Sequence, residues 1–70
     1  MIEFRGICGR RIALNPASID YIQNARMADK VCTLLCFRSG KKLFVLERYD
    51  DAKRMIEDAL AVEYRGDGGE

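Results

Sequence analysis

The chain has 70 residues, 49% of them hydrophobic and 33% charged, with a formal net charge of +1. This length excludes more than one domain, the composition excludes a disordered chain, and the near-neutral charge excludes a global attraction to nucleic acid. A chain this short buries only roughly 60% of its unfolded surface, so we expect it to gain stability from self-association or a partner. We predict one domain over residues 1–64 and a flexible, polar, glycine-rich tail over residues 65–70.

Histidine is absent, and there are three cysteines. Histidine is the commonest general base and metal ligand, and so short a chain has little room for both a core and a pocket. We therefore predict a protein that is not an enzyme, with no catalytic residue, metal or cofactor. The odd cysteine count and the lack of a signal pattern or a long apolar run predict a cytoplasmic protein that does not contact membranes.

The N-terminal residues predict a β-hairpin. Ile2 and Phe4 alternate with charged residues, which indicates a strand with one apolar face. Two glycines three positions apart mark a connection at residues 6–9, and residues 10–14 form the returning strand.

Two structures fit residues 16–25. Asn15 as an N-cap followed by Pro16 is typical of a helix start. The other possibility is a short turn at residues 15–18 and then a strand from Ile19 to Asn24. We favour the turn and strand, because the segment is rich in β-forming residues and short for an isolated helix.

The second half predicts a hairpin and a helix. A polar connection at residues 26–30 leads to a strand at residues 31–38, a tight turn at Ser39-Gly40 and a partner strand at residues 41–46. From Tyr49 to about Val62, apolar residues recur at the three-and-four spacing of an amphipathic helix. We predict an α+β fold: a curved antiparallel sheet, or a small partly open barrel, of four to five strands followed by one C-terminal helix.

Short motifs occur at the ends of the predicted strands, in the order Met1-Ile2, Asn15-Pro16, Ser39-Gly40-Lys41 and Val45-Leu46-Glu47. Their order resembles the small FlbD-like proteins that are associated with bacterial flagellar operons. The resemblance covers residues 2 to about 60 and implies a fold with the same order of strands and helix. The first hairpin departs from the family, since two arginines follow its glycines where a polar Asn-Gly type of turn is expected.

The cysteines do not predict a metal site. On a strand, Cys32 and Cys36 lie roughly 13 Å apart at ~3.3 Å per residue, whereas zinc holds each sulfur at about 2.3 Å. We expect both to be buried and to behave as apolar residues, and Cys8, in a turn, to be exposed.

The strand at residues 31–38 is apolar on both faces, and one helix can cover only one of them. The other face either closes a small barrel or meets a second copy of the chain. We predict a subunit interface formed by one face of this strand: Val31, Thr33, Leu35 and Phe37.

Basic residues flank the first connection between strands, at residues 6–9, and the fourth, at Ser39-Gly40. They are Arg5, Arg10, Arg11, Arg38, Lys41 and Lys42. Glycines beside arginines can expose backbone N–H groups to an anion, although charged turn residues are more often only solvated and protect sheet edges. In an up-and-down meander these two connections lie at opposite ends of the sheet, which predicts two separate patches.

The sequence thus predicts a small regulatory or adaptor protein of bacterial or phage type. It would act through protein–protein contacts as a homo-oligomer, with a second copy and another protein as its partners. The alternative is a nucleic-acid- or nucleotide-binding module that uses the basic hairpin residues.

Overall fold

The computed structural model describes the backbone of residues 1–68 and the side chains of residues 1–61. It contains five strands and one helix: β1 (Ile2–Arg5), β2 (Arg11–Leu14), β3 (Ile19–Met27), β4 (Lys30–Phe37), β5 (Lys42–Val45) and α1 (Tyr49–Gly68). One sheet pairs β1 with β2, a second has the order β3-β4-β5, and all pairs are antiparallel. The predicted α+β fold is confirmed, with sheets that are not closed into a barrel.

The Asn15-Pro16 motif forms a single turn of 3-10 helix. The side-chain oxygen of Asn15 accepts a hydrogen bond from the Ala17 N–H at 3.0 Å, as an N-cap does, and the turn covers Pro16–Ser18. β3 follows at once and is nine residues long. The turn and strand that we favoured are confirmed, and the α-helical alternative is wrong.

The connection between β3 and β4 is much shorter than predicted. Met27 pairs with Lys30, so only Ala28 and Asp29 lie outside the strands. Both have positive φ, +49° for Ala28 and +67° for Asp29. Turns with two left-handed residues strongly prefer Asn-Gly, which explains why Ala-Asp was not recognised as a two-residue turn.

Replacing this pair with Asn-Gly (Ala28→Asn with Asp29→Gly) is expected to raise the free energy of unfolding by about 1 kcal/mol, because left-handed φ is unfavourable for other residues. Chemical denaturation measures the change. The matched control is Gly40→Ala in the next hairpin, where φ is +95° and no atom lies within 4 Å of the added Cβ. That substitution should lower stability, and an Asn-Gly variant no more stable than the native chain would contradict the prediction.

The two sheets meet where β1 ends beside β5. Gly6 forms an antiparallel bridge with Val45, and the Leu46 N–H donates to the Arg5 carbonyl at 2.7 Å. The Arg5 N–H donates in turn to both carboxylate oxygens of Glu47, at 3.0 and 3.1 Å. β1 therefore runs antiparallel to β5, and the turn of the first hairpin lies beside β5. The meander assumed from the sequence is wrong, because β2 does not pair with β3.

The core lies between α1 and one side of the two sheets. Its fully packed members are apolar residues from β1, β2, β4, β5 and α1: Phe4, Leu14, Leu35, Val45 and Ala52. Thr33 is also fully buried, and its hydroxyl donates to the Glu47 carbonyl at 2.6 Å. The core therefore fixes which face of the three-stranded sheet is turned towards α1.

The helix begins at Tyr49 as predicted, with Asp50 and Asp51 in its first turn, where negative charge is favourable. It continues to Gly68, past the predicted end near Val62. The predicted flexible tail, residues 65–70, includes residues 69 and 70, which lie outside the described residues, and its flexibility stays a prediction. Within residues 1–68, no helix combines the length and apolar character needed to cross a membrane.

Candidate protein-contact surface

The two faces of β4 have different neighbours. Leu35 lies opposite Ile22 of β3 and Leu43 of β5, and all three belong to the core or pack against it. Thr33 and Leu35 have no exposed surface. Side chains on a strand alternate between faces, so the residues in register with these two form the side of the sheet that α1 covers.

The predicted interface therefore needs a correction. Thr33 and Leu35 are part of the core, and Phe37 packs against it. Of the four residues, only Val31 is classed as exposed, at 40%, and it borders a cleft at the start of α1. The predicted face is the one that α1 covers, so it is not free to form a subunit interface.

The opposite side of the three-stranded sheet is the open one, and we call it the outer face. Its members are mostly apolar: Ile7, Tyr21, Gln23, Ala25, Met27, Cys32, Leu34, Cys36, Phe44 and Leu46. Leu34 occupies its centre, opposite Gln23 on one side and Phe44 on the other. Tyr21 is 50% exposed and Ile7 is 49% exposed. No outer-face residue belongs to the core cluster around Phe4 in the described part of the chain.

Both cysteines of β4 are on the outer face, yet both are buried, as predicted. Cys32 lies at the base of a groove of about 360 Å³ that Ile7, Met27 and Leu46 help to line. Interaction with the Cys36 side chain, chiefly a hydrogen bond, raises the pKa of the Tyr21 phenol above its ordinary value of 10.0. The larger neighbours therefore shelter the two small thiols. Cys8 is exposed, also as predicted.

Lysines flank the apolar centre of the outer face. Lys30 pairs with Met27 at one end of β4, and Lys42 pairs with Cys36 near the other. Both lysines are exposed. An apolar centre with charged residues at its margin is the usual arrangement of a protein–protein contact surface.

The basic residues divide into two groups. Arg5 and Arg11 lie near carboxylates, with Arg5 Nε 3.7 Å from Glu47 and an Arg11 nitrogen 3.9 Å from Glu3. Arg10 and Lys42 instead line one groove of about 350 Å³ between the first hairpin and β5, which we call the basic groove. The prediction of two separate patches is thus wrong for these two residues, because β1 runs antiparallel to β5. Arg38 and Lys41 are exposed at the fourth connection.

The cleft at the start of α1, of about 530 Å³, has mixed charge. Arg48 and Arg54 face it together with Asp50 and Asp51, and all four are exposed. Over the residues that the structure describes, no group of three or more Cys, Asp or Glu side chains is placed to hold a metal ion. The two positive and two negative side chains balance in charge, and water has access to all four.

Comparisons of the chain with protein-family models, curated proteins and solved structures returned no match. The surface must therefore be interpreted from its own residues. Those that the sequence argument missed are Ile7, Tyr21, Phe44 and Leu46. The signal was present, since Phe44 and Leu46 alternate along one face of β5 as Leu43 and Val45 do along the other.

Proposed function

We propose that this chain is a small non-enzymatic protein of regulatory or adaptor type that acts through protein–protein contacts as a homo-oligomer in the cytoplasm. The observation that carries the proposal is the apolar outer face. A solvated face of an antiparallel sheet normally carries alternating polar residues, and large apolar patches on globular proteins mark sites of interaction.

The side chains of the outer face suit a protein partner. Tyr21 and Phe44 are aromatic, and aromatic residues contribute more than most others to contact energy. Leu34 and Leu46 are only partly buried, so a partner would remove further apolar surface from water, at about 25 cal/mol per Å². The flanking Lys30 and Lys42 favour a partner with carboxylates around its own apolar contact residues.

A photo-crosslinking side chain at Leu34 should capture the partner in the cells that express the protein, because Leu34 is partly exposed at the centre of the outer face. The same side chain at Asp58, exposed on α1, serves as the matched control and should give no adduct. Adding Phe44→Ala should reduce the Leu34 adduct by about tenfold, the effect of losing roughly 1.4 kcal/mol of contact energy. Equal adducts at Leu34 and Asp58, or none at Leu34, would contradict the proposal.

A second candidate function is binding of a nucleic acid or nucleotide. The observation that favours it is the basic groove, where Arg10 and Lys42 lie together, with no carboxylate within 4 Å of either among the described residues. The exposed Arg38 and Lys41 at the fourth connection could extend the positive charge. We rank this function second because the groove also holds apolar side chains and lacks a series of aromatic rings for base stacking.

Replacing both groove cations (Arg10→Ala with Lys42→Ala) tests the second candidate. If the groove holds phosphates, binding of a labelled single-stranded oligonucleotide or a nucleoside triphosphate should weaken. For the oligonucleotide, the slope of log K against log salt should fall by about 0.7 for each lost phosphate contact. Arg11→Ala, which removes a cation already near Glu3, is the control and should change binding less. Undetectable binding by the native chain at low salt would exclude this function.

A further inference from the structure

β3 forms an edge of the three-stranded sheet. It pairs with β4 on one side, and no other strand of residues 1–68 pairs with it. Met27 and Lys30 flank a two-residue turn and therefore form a hydrogen-bonded pair, after which the pairs alternate along the hairpin. By this alternation the backbone N–H and C=O groups of Ile22, Asn24 and Arg26 point away from β4, towards the open edge.

The residues of β3 give its open edge little protection against pairing, although α1 lies beside the first part of the strand, at residues 19–22. Exposed edges usually carry lysine, proline or a central charge that prevents another strand from adding. The five residues from Tyr21 to Ala25 contain neither a charge nor a proline. The strand's two charges have opposite sign and lie symmetrically about its middle, with Asp20 three residues before Gln23 and Arg26 three residues after it.

We propose that two copies of the chain pair through their β3 edges, antiparallel and about a two-fold axis at Gln23. This proposal rests on the homo-oligomer part of the proposed function and specifies how the copies meet. Asp20 of one protomer then lies opposite Arg26 of its partner, and the symmetry forms this ion pair twice. Tyr21 lies opposite the partner's Ala25, so a large side chain meets a small one.

The charges select this register. Ile22 and Asn24 of the two protomers exchange the backbone groups that face the open edge, and regular pairing runs from Tyr21 to Ala25, with Asp20 and Arg26 just outside it. The alignment can shift only by an even number of residues, because the outward-facing backbone groups occur at every second position. A shift of the axis by one residue either way moves the alignment by two and separates Asp20 from Arg26, so both symmetric ion pairs would be lost.

The register irregularity of β3 lies between Ile19 and Tyr21, so Asp20 is the extra residue of a bulge. Regular backbone pairing between the protomers ends there, and Asp20 meets the partner's Arg26 through its side chain. Because the pairing is symmetric, it uses the same edge on both protomers and closes at two copies. The result is a continuous six-stranded sheet that carries two outer faces side by side, both available to a partner protein.

Light scattering or sedimentation of the full chain is expected to give twice the 8.0 kDa chain mass at micromolar concentration. Asp20→Arg and Arg26→Asp should each weaken the dimer by roughly 30-fold, because both symmetric ion pairs change from attraction to repulsion. When the two single variants are mixed, both pairs become attractive again, so a heterodimer should form. Far-UV circular dichroism checks that each variant is folded.

A cysteine at the axis gives an independent measurement. In a Cys8→Ser background, Gln23→Cys should form an intermolecular disulfide with a mild added oxidant such as diamide. Directly opposite residues that do not exchange hydrogen bonds lie about 4.5 Å apart at Cα, within disulfide range. Glu3→Cys, exposed on β1, is the control and should crosslink less.

The outcomes separate this proposal from the proposed function. A dimer that both charge variants retain but Phe44→Ala dissociates would overturn edge pairing and leave a homo-oligomer that uses the outer face. A native chain of 8.0 kDa at all concentrations would overturn both edge pairing and the homo-oligomer. Failure of the two single variants to reassociate on mixing would overturn the Gln23-centred register.

Discussion

Phe4→Ala is expected to lower the free energy of unfolding by about 3–5 kcal/mol, a large fraction of the 5–15 kcal/mol typical of a folded domain. Phe4 is 1% exposed and belongs to the core cluster with Leu14, Leu35, Val45 and Ala52. Truncation leaves a cavity where the first hairpin, the three-stranded sheet and α1 meet. Chemical denaturation followed by circular dichroism measures the loss.

Phe44→Ala is the matched control, since it removes the same side chain from the partly buried outer face. We expect it to cost less stability, about 1 kcal/mol, because Phe44 is only partly buried and the space it leaves is not fully enclosed. The main effect of Phe44→Ala should be weaker binding of a partner protein to the outer face. Equal losses of stability from the two substitutions would contradict our distinction between the core and the outer face.

Glu47→Ala is expected to lower the free energy of unfolding by about 2 kcal/mol, in the range for hydrogen bonds to a charged group. The carboxylate accepts the Arg5 N–H at 3.0 and 3.1 Å, and its side chain is only 15% exposed. The Arg5 guanidinium, 3.7 Å away, contributes little because that side chain is 64% exposed. The loss therefore comes mainly from the junction between β1 and the segment after β5.

The control for Glu47 is Glu3→Ala. Glu3 also lies near an arginine, with 3.9 Å to Arg11, but both side chains are mainly exposed. Exposed pairs of this kind contribute 0–1 kcal/mol, so we expect a change of about 0.5 kcal/mol or less. Thermal or chemical unfolding of the two variants side by side measures the difference. If Glu3→Ala lowers the free energy of unfolding as much as Glu47→Ala does, burial does not determine how much these carboxylates stabilise the fold.

Local patterns predicted most elements of this fold. Alternation in β1, the short apolar run of β4, the glycine at φ +95° in the fourth connection and the apolar spacing of α1 each have a direct physical cause. The Ala28-Asp29 turn was not predictable in this way, because alanine strongly disfavours positive φ and aspartate adopts it only occasionally. The helix also continues through Arg65 to Gly68, where the glycines had suggested an earlier end.

The position of the candidate site could not be predicted from the alternation of side chains along the strands. Both faces of β4 are apolar, so its sequence alone cannot tell which one α1 covers. That choice is made by contacts distant in sequence, such as Phe4 and Ala52 with Leu35. Likewise, Arg10 and Lys42 share the basic groove only because Gly6 bridges to Val45, a pairing that no local motif indicates.

The hydrogen bond between Arg5 and Glu47 also bears on how the chain folds, since it joins residues 42 positions apart. The β3-β4-β5 hairpins close short loops, whereas docking of the first hairpin must close this long one and carries a larger entropy cost. We expect the three-stranded sheet to form first and the N-terminal hairpin to dock late, bringing Phe4 with it. Most of the Phe4→Ala penalty should then appear as faster unfolding, with little change in the folding rate, in stopped-flow measurements.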